Sequence, residues 1–195
     1  MDEDRGEFWE DNPFMITENG NNLSAFETNR VFINKFGTRF IDASFASVAS
    51  IDSDSRSVIA ADFDNDHRPD LLVASVGGGP YRLFGNQFPG RPAIVEVDLV
   101  GVTSNRFGIG CRLSLVIGDR RIVRDVFANN SFQGQQPPET IIGLGAAKGI
   151  DRLTVTWPTG ESQTFDNVPV NGTLRITEGS GSFEFHEFDA DPDAT

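Results

Sequence analysis

Hydrophobic positions along this chain alternate rather than recurring every third or fourth residue. In DRLTVTW (151–157), Leu153, Val155 and Trp157 fall on one side and Thr154 and Thr156 on the other, the period of two that marks a half-buried strand. CRLSLVIG (111–118) sets Leu113, Leu115 and Ile117 against Arg112, Ser114 and Val116. RIVRDVF (121–127) sets Ile122, Arg124 and Val126 against Val123, Asp125 and Phe127. Between these two runs Gly118-Asp119 predicts a tight hairpin. AIVEVDLVG (93–101), ETIIGLG (139–145) and TLRITEG (173–179) extend the series, and SFEFHEF (182–188) reads as an edge strand or an ordered tail. Upstream, RVFIN and RFIDA flank a turn at Lys35–Thr38, where Gly37 can take positive φ. SVIAA (57–61), DLLVASV (70–76) and PYRLFGN (80–86) are further runs of strand length, with a Gly77–Gly79 break between the last two. Residues 20–28 are the best helical candidate, and they are short. The pattern predicts an all-β protein of sandwich, barrel or propeller type.

QFPGRP (87–92), with two prolines and a glycine, predicts a boundary. It separates a unit at 25–88 from a second at 93–178, with an acidic segment at 1–24 and an acidic tail at 179–195. The length of 195 residues suits one ordinary domain or two small ones. Charge changes the picture of the ends. The formal net charge is −13, and acids crowd both termini: six against Arg5 in the first eleven residues, five without a base in residues 184–195. The body between is nearly neutral. Two solvated acidic ends are one reading, and recruitment of cations or a basic partner is the other. Nucleic acid is excluded as a partner, because the chain repels phosphates and offers no basic stripe. No apolar run approaches membrane-spanning length. Cys111 stands alone, so no intramolecular disulfide forms. The opening residues MDEDRGEFWEDN show neither the basic start nor the apolar stretch of a secretory signal.

The sharpest chemistry lies in DFDNDHRPD (62–70), between two strand-like runs. Asp62, Asp64, Asp66 and Asp70 occupy positions 1, 3, 5 and 9, and the carbonyl of Arg68 occupies position 7. Hard oxygen donors at this spacing suit Ca²⁺, which takes six to eight of them. The flanks are β-like and Val73 stands where an EF-hand needs its bidentate Glu, so this is not an EF-hand. Position 6, which must turn with positive φ, is His67 rather than glycine, at a cost of roughly 1 kcal/mol. The competing reading is a solvated acidic turn.

SVIAADFDNDHRPDLLVAS (57–75) resembles an FG-GAP/VCBS-type repeat, in which a β-propeller blade carries a calcium loop. That resemblance implies Asp62, Asp64, Asp66, Asp70 and the Arg68 carbonyl as ligands of a Ca²⁺ cofactor. Residues 94–177 resemble the ASPIC/UnbV domain, found in cartilage acidic protein and its relatives. The match rests on SNRFGIGCRLSL, then RIVRDVFANNSFQGQQ, then IIGLGAAKGIDRLTVTWPTGESQTFDNVP. The implied architecture is a partial propeller-blade-like unit followed by a β-sandwich. A single blade cannot close a propeller, so the chain is a fragment, a remnant packed on the sandwich, or one that assembles with further blades. The resemblance also implies an extracellular, cell-surface or periplasmic setting.

Catalysis finds little support. His67 and His186 are the only histidines, and G-x-S-x-G, HExxH and CxxC are absent. Asn105 and Arg106 either bind a ligand or lock a β-loop, and the amide-rich loop at 128–139 suits sugar or peptide recognition. The expected function is therefore a non-enzymatic calcium-binding β module for adhesion, scaffolding or binding of a protein or carbohydrate ligand. The alternative is the accessory or catalytic region of a secreted enzyme acting on carbohydrate or another polymer. That alternative requires a pocket with two facing carboxylates of perturbed titration.

Overall fold

A computed structural model describes residues 28–35, 37–51, 55–75, 80–129 and 131–189. The acidic start, nearly all of the helical candidate and Gly77–Gly79 lie outside the described residues. Thirteen strands and no α-helix are present among those described, and no helix is long and apolar enough to cross a membrane. The strands are β1 (Phe32–Lys35), β2 (Arg39–Asp42), β3 (Ser55–Ala61), β4 (Asp70–Ser75), β5 (Arg82–Phe84), β6 (Ala93–Val100), β7 (Arg112–Ile117), β8 (Arg120–Asp125), β9 (Thr140–Gly145), β10 (Ile150–Thr156), β11 (Ser162–Val168), β12 (Gly172–Thr177) and β13 (Glu184–Glu187). They fall into two compact units.

The first unit comprises residues up to Ala60, Asp70–Gly85 and Ser131–Gly134. The β1–β2 hairpin pairs Phe32 with Asp42 and Lys35 with Arg39, and Gly37 turns it at φ 71°. A three-stranded sheet runs in the order β3-β4-β5. Its central strand takes the apolar run DLLVAS, and Val73 is buried there. Ser131 reaches the edge strand, where its hydroxyl oxygen accepts the Val58 N–H at 2.9 Å. Most of this unit's large apolar side chains stay at the surface, Phe45 at 95% exposure and Phe40 at 68%.

The second unit comprises Ala61–Pro69, Asn86–Asn130 and Gln135–Thr195. It holds two four-stranded sheets, β11-β10-β7-β8 and β13-β12-β6-β9. Strict alternation builds the sandwich. β6 buries Ala93, Val95, Val97 and Leu99 in turn, and they meet Leu113, Leu115, Leu153, Val155 and Trp157 in one core. The sheets are antiparallel except that β6 and β12 run parallel, Val95 beside Gly172 through Val100 beside Thr177. Gly118-Asp119 joins β7 to β8 as a two-residue loop with Gly118 at φ 55°, the positive φ such turns require. The SFEFHEF run is an edge strand: β13 pairs with β12, and Phe183 and Phe185 pack on the core. Edge strand β8 sends the Arg120 guanidinium to the Leu144 carbonyl.

Candidate metal centre

The β3–β4 connection starts from the last residue of β3 and is reversed twice, by Asn65 at φ 61° and His67 at φ 64°. The left-handed conformation expected at position 6 is the one His67 adopts. Those reversals turn backbone N–H groups inward, and the aspartates take them. Asp62 accepts from the Asp66 N–H at 3.2 Å and the His67 N–H at 2.9 Å, while Asp64 accepts from Asp66 at 3.3 Å. Local polar groups are thus satisfied by side chains two to five residues away.

Asp62, Asp64 and Asp70 each place a carboxylate oxygen so that all three lie within 4.8 Å of one another. Asp70, the first residue of β4, is buried at 2% exposure, Asp62 is half-buried and Asp64 exposed. Asp66 is not in this trio. Its carboxylate takes both the backbone N–H of Arg68 at 2.8 Å and the guanidinium Nε at 2.6 Å. Partial burial pushes the Asp66 pKa up, but the two Arg68 bonds and the guanidinium charge outweigh it and hold it below the ordinary carboxylate value. The donor set of the trio is three carboxylate oxygens, which fits a hard divalent cation better than a transition metal seeking nitrogen or sulfur.

Around the loop the second unit adds groups that the sequence does not single out. The His67 ring stacks on Phe188, centroids 3.9 Å apart and planes 10° off parallel. His67 Nδ1 lies 4.0 Å from an Asp62 carboxylate oxygen. Glu96 on β6 has its pKa raised, first by burial and then by the Glu139 charge, against a weak hydrogen bond from Thr173. No local signal marks Phe188 or Glu96, because each acquires its neighbours across strands remote in sequence.

Several other sequence candidates make contacts within the sandwich. The Asn105 side chain accepts the Phe107 N–H at 2.9 Å, and the Arg106 carbonyl accepts the Gly101 N–H at 3.1 Å, locking the β6–β7 loop. Gly108 in that loop has φ +66°, and a Cβ there would come within 2.5 Å of Leu99 Cβ. Glu178 seals the same loop by accepting the N–H groups of Val102, Thr103 and Ser104 and the Ser104 hydroxyl at 2.7–2.8 Å. Desolvation pushes its pKa up, yet these four donors prevail and hold it at about 2. Trp157 is buried, and its indole N–H donates to Gln163. Cys111 is buried, which pushes its thiol up to about 11 with help from the Glu178 charge, so it is an inert core residue. His186 is exposed on β13 and is not a member of the aspartate trio.

Residues 101–183 match the family model described as ASPIC and UnbV. The chain therefore carries an ASPIC/UnbV domain, formed by the sandwich of the second unit. The match leaves out β6 and β13, which complete one of its two sheets. No curated protein matches the chain.

Proposed function

We propose that this chain is a non-enzymatic, calcium-binding β module of the ASPIC/UnbV type, serving adhesion, scaffolding or ligand binding outside the cell. The observation that supports it is the convergence of Asp62, Asp64 and Asp70 within 4.8 Å in a strand–loop–strand. In this reading those three aspartates hold the cation and the Arg68 carbonyl adds an oxygen, while Asp66 orders the loop through the Arg68 side chain. The bound ion supplies charge neutralisation, which removes repulsion among the three carboxylates and links the order of the loop to occupancy. The three-stranded β3-β4-β5 sheet around the loop supports reading the first unit as an FG-GAP/VCBS-type repeat.

Thermal unfolding of the whole chain in Ca²⁺, Mg²⁺ and EDTA tests this. Calcium at about a hundredfold excess over Kd should stabilise by about 2.7 kcal/mol, magnesium should do little, and Asp64→Ala should abolish the calcium effect. One midpoint shared by all three conditions would reduce the loop to a bare turn.

A second reading, an enzyme acting on a polymer, draws on the raised pKa of Glu96 beside Glu139. It predicts hydrolysis of a polysaccharide substrate that Glu96→Gln abolishes without lowering the unfolding midpoint.

A further inference from the structure

The second unit carries a groove of about 540 Å³, a size within the roughly 300–1,000 Å³ typical of small-molecule sites. Its floor is the outer face of β6 and β9, where Ile94, Ile141 and Gly143 lie. The His67–Phe188 stack and Phe88 add flat apolar surface, and Pro89 and Pro92 extend it. Polar side chains of both signs complete the lining: Arg91, Asn171, Glu187 and Asp189.

The lining is set before any ligand arrives. The Arg68 guanidinium, held by Asp66, also donates to the Phe88 carbonyl at 3.1 Å, tying residues 66–69 to the 86–92 segment. Asn86 donates to the Pro69 carbonyl at 3.1 Å and accepts the Phe88 N–H at 3.3 Å. The Asn171 side chain accepts the Ile94 N–H at 3.2 Å. A groove braced in this way spends little ordering entropy on binding. Gly143 leaves this part of the floor bare, and a Cβ added there would meet no protein atom within 4 Å, so a larger side chain fits at the groove's expense.

The chemistry of the lining selects the occupant. Asp66 pairs with Arg68, and Arg91 lines the same space as Glu187 and Asp189. The lining carries one more carboxylate than guanidinium, which disfavours an anion, and its flat apolar surface offers a small hard cation no shell of oxygen donors. A neutral polyhydroxylated ring has what both surfaces want: a C–H face to lie on aromatic carbon, and adjacent hydroxyls to bridge carboxylate, amide and guanidinium edges. We infer that this groove is a binding site for a neutral saccharide of one or two sugar units. It is distinct from the aspartate trio, none of whose members lines it.

Titration of the isotope-labelled whole chain with maltose, cellobiose, lactose and diacetylchitobiose, followed by amide NMR, tests the site. At least one disaccharide should give saturable shifts confined to the groove. Gly143→Val, which suits an exposed strand position, should weaken that binding at least about tenfold with the unfolding midpoint unchanged. Phe88→Ala, at a half-exposed position, should act in the same direction. Absence of saturable shifts with all four sugars overturns the site, as does binding that survives Gly143→Val. Saturable binding of a proline-rich peptide without any sugar response also overturns it. Running each titration in Ca²⁺ and in EDTA keeps the two readings separate. Sugar shifts that persist beside a calcium-insensitive midpoint reject the calcium site alone, and the reverse pattern rejects the groove alone.

Discussion

Two loops of this protein handle carboxylates in opposite ways. At the β6–β7 loop a single acid, Glu178, is surrounded by four donors from Val102, Thr103 and Ser104. At the β3–β4 loop three acids share one point, and the backbone N–H groups of Asp66 and His67 are the donors described for two of them. The first loop has donors to spare for its charge. The second gathers three carboxylates on one point. A carboxylate ringed by the protein's own N–H groups is a structural clamp; carboxylates crowded on one another are what a cation would draw together.

Replacing the clamp should have the largest effect. Glu178→Ala strands the three N–H groups it satisfies, and differential scanning calorimetry should show the midpoint fall by several degrees, equally in Ca²⁺ and in EDTA. Acid should dissolve the clamp in wild type. Because the folded pKa of Glu178 lies at about 2, below its ordinary value of 4.5, its contribution is complete above about 4.5 and lost as pH falls towards about 2. Stability curves of wild type and Glu178→Gln should therefore converge over that interval, and parallel curves would contradict the clamp.

Asp64→Asn should have the opposite sign from Glu178→Ala when cations are removed. In EDTA it relieves like-charge crowding and should raise the midpoint slightly; with Ca²⁺ it should lower the midpoint relative to wild type. Asp66→Asn should cost about 1 kcal/mol by loosening Arg68, whose pair with Asp66 is only a quarter exposed, with calcium dependence retained in calorimetry. The smallest change belongs to Glu96→Gln. The Glu96 pKa is raised in the fold, so its ionised form opposes folding. The variant should match or slightly exceed wild-type stability at neutral pH, and the difference should vanish as pH falls below the ordinary glutamate range.

Alternation alone was enough to place the sandwich strands, because a residue buried against a facing sheet leaves its mark every second position. Leu153, Val155 and Trp157 are buried as their spacing predicts, and Gly118-Asp119 makes the expected turn. The acidic spacing of 62–70 is likewise local, so the crowding of Asp62, Asp64 and Asp70 could be anticipated from the sequence. The diversion of Asp66 to Arg68 could not, since alternating loop positions do not say which carboxylate a flexible guanidinium will take. SFEFHEF was ambiguous for a similar reason: its charge resembled a tail, and only pairing with β12 makes it a strand.

Periodicity and spacing thus determined the fold class, the core-facing positions and the acidic loop, all of which depend on neighbours within a few residues. Tertiary structure alone decided the His67–Phe188 stack, the raised Glu96 and the groove over Ile94, Ile141 and Gly143. Each of these depends on strand order, and the parallel pairing of β6 with β12 beside antiparallel β9 and β13 is a long-range arrangement that no local period encodes.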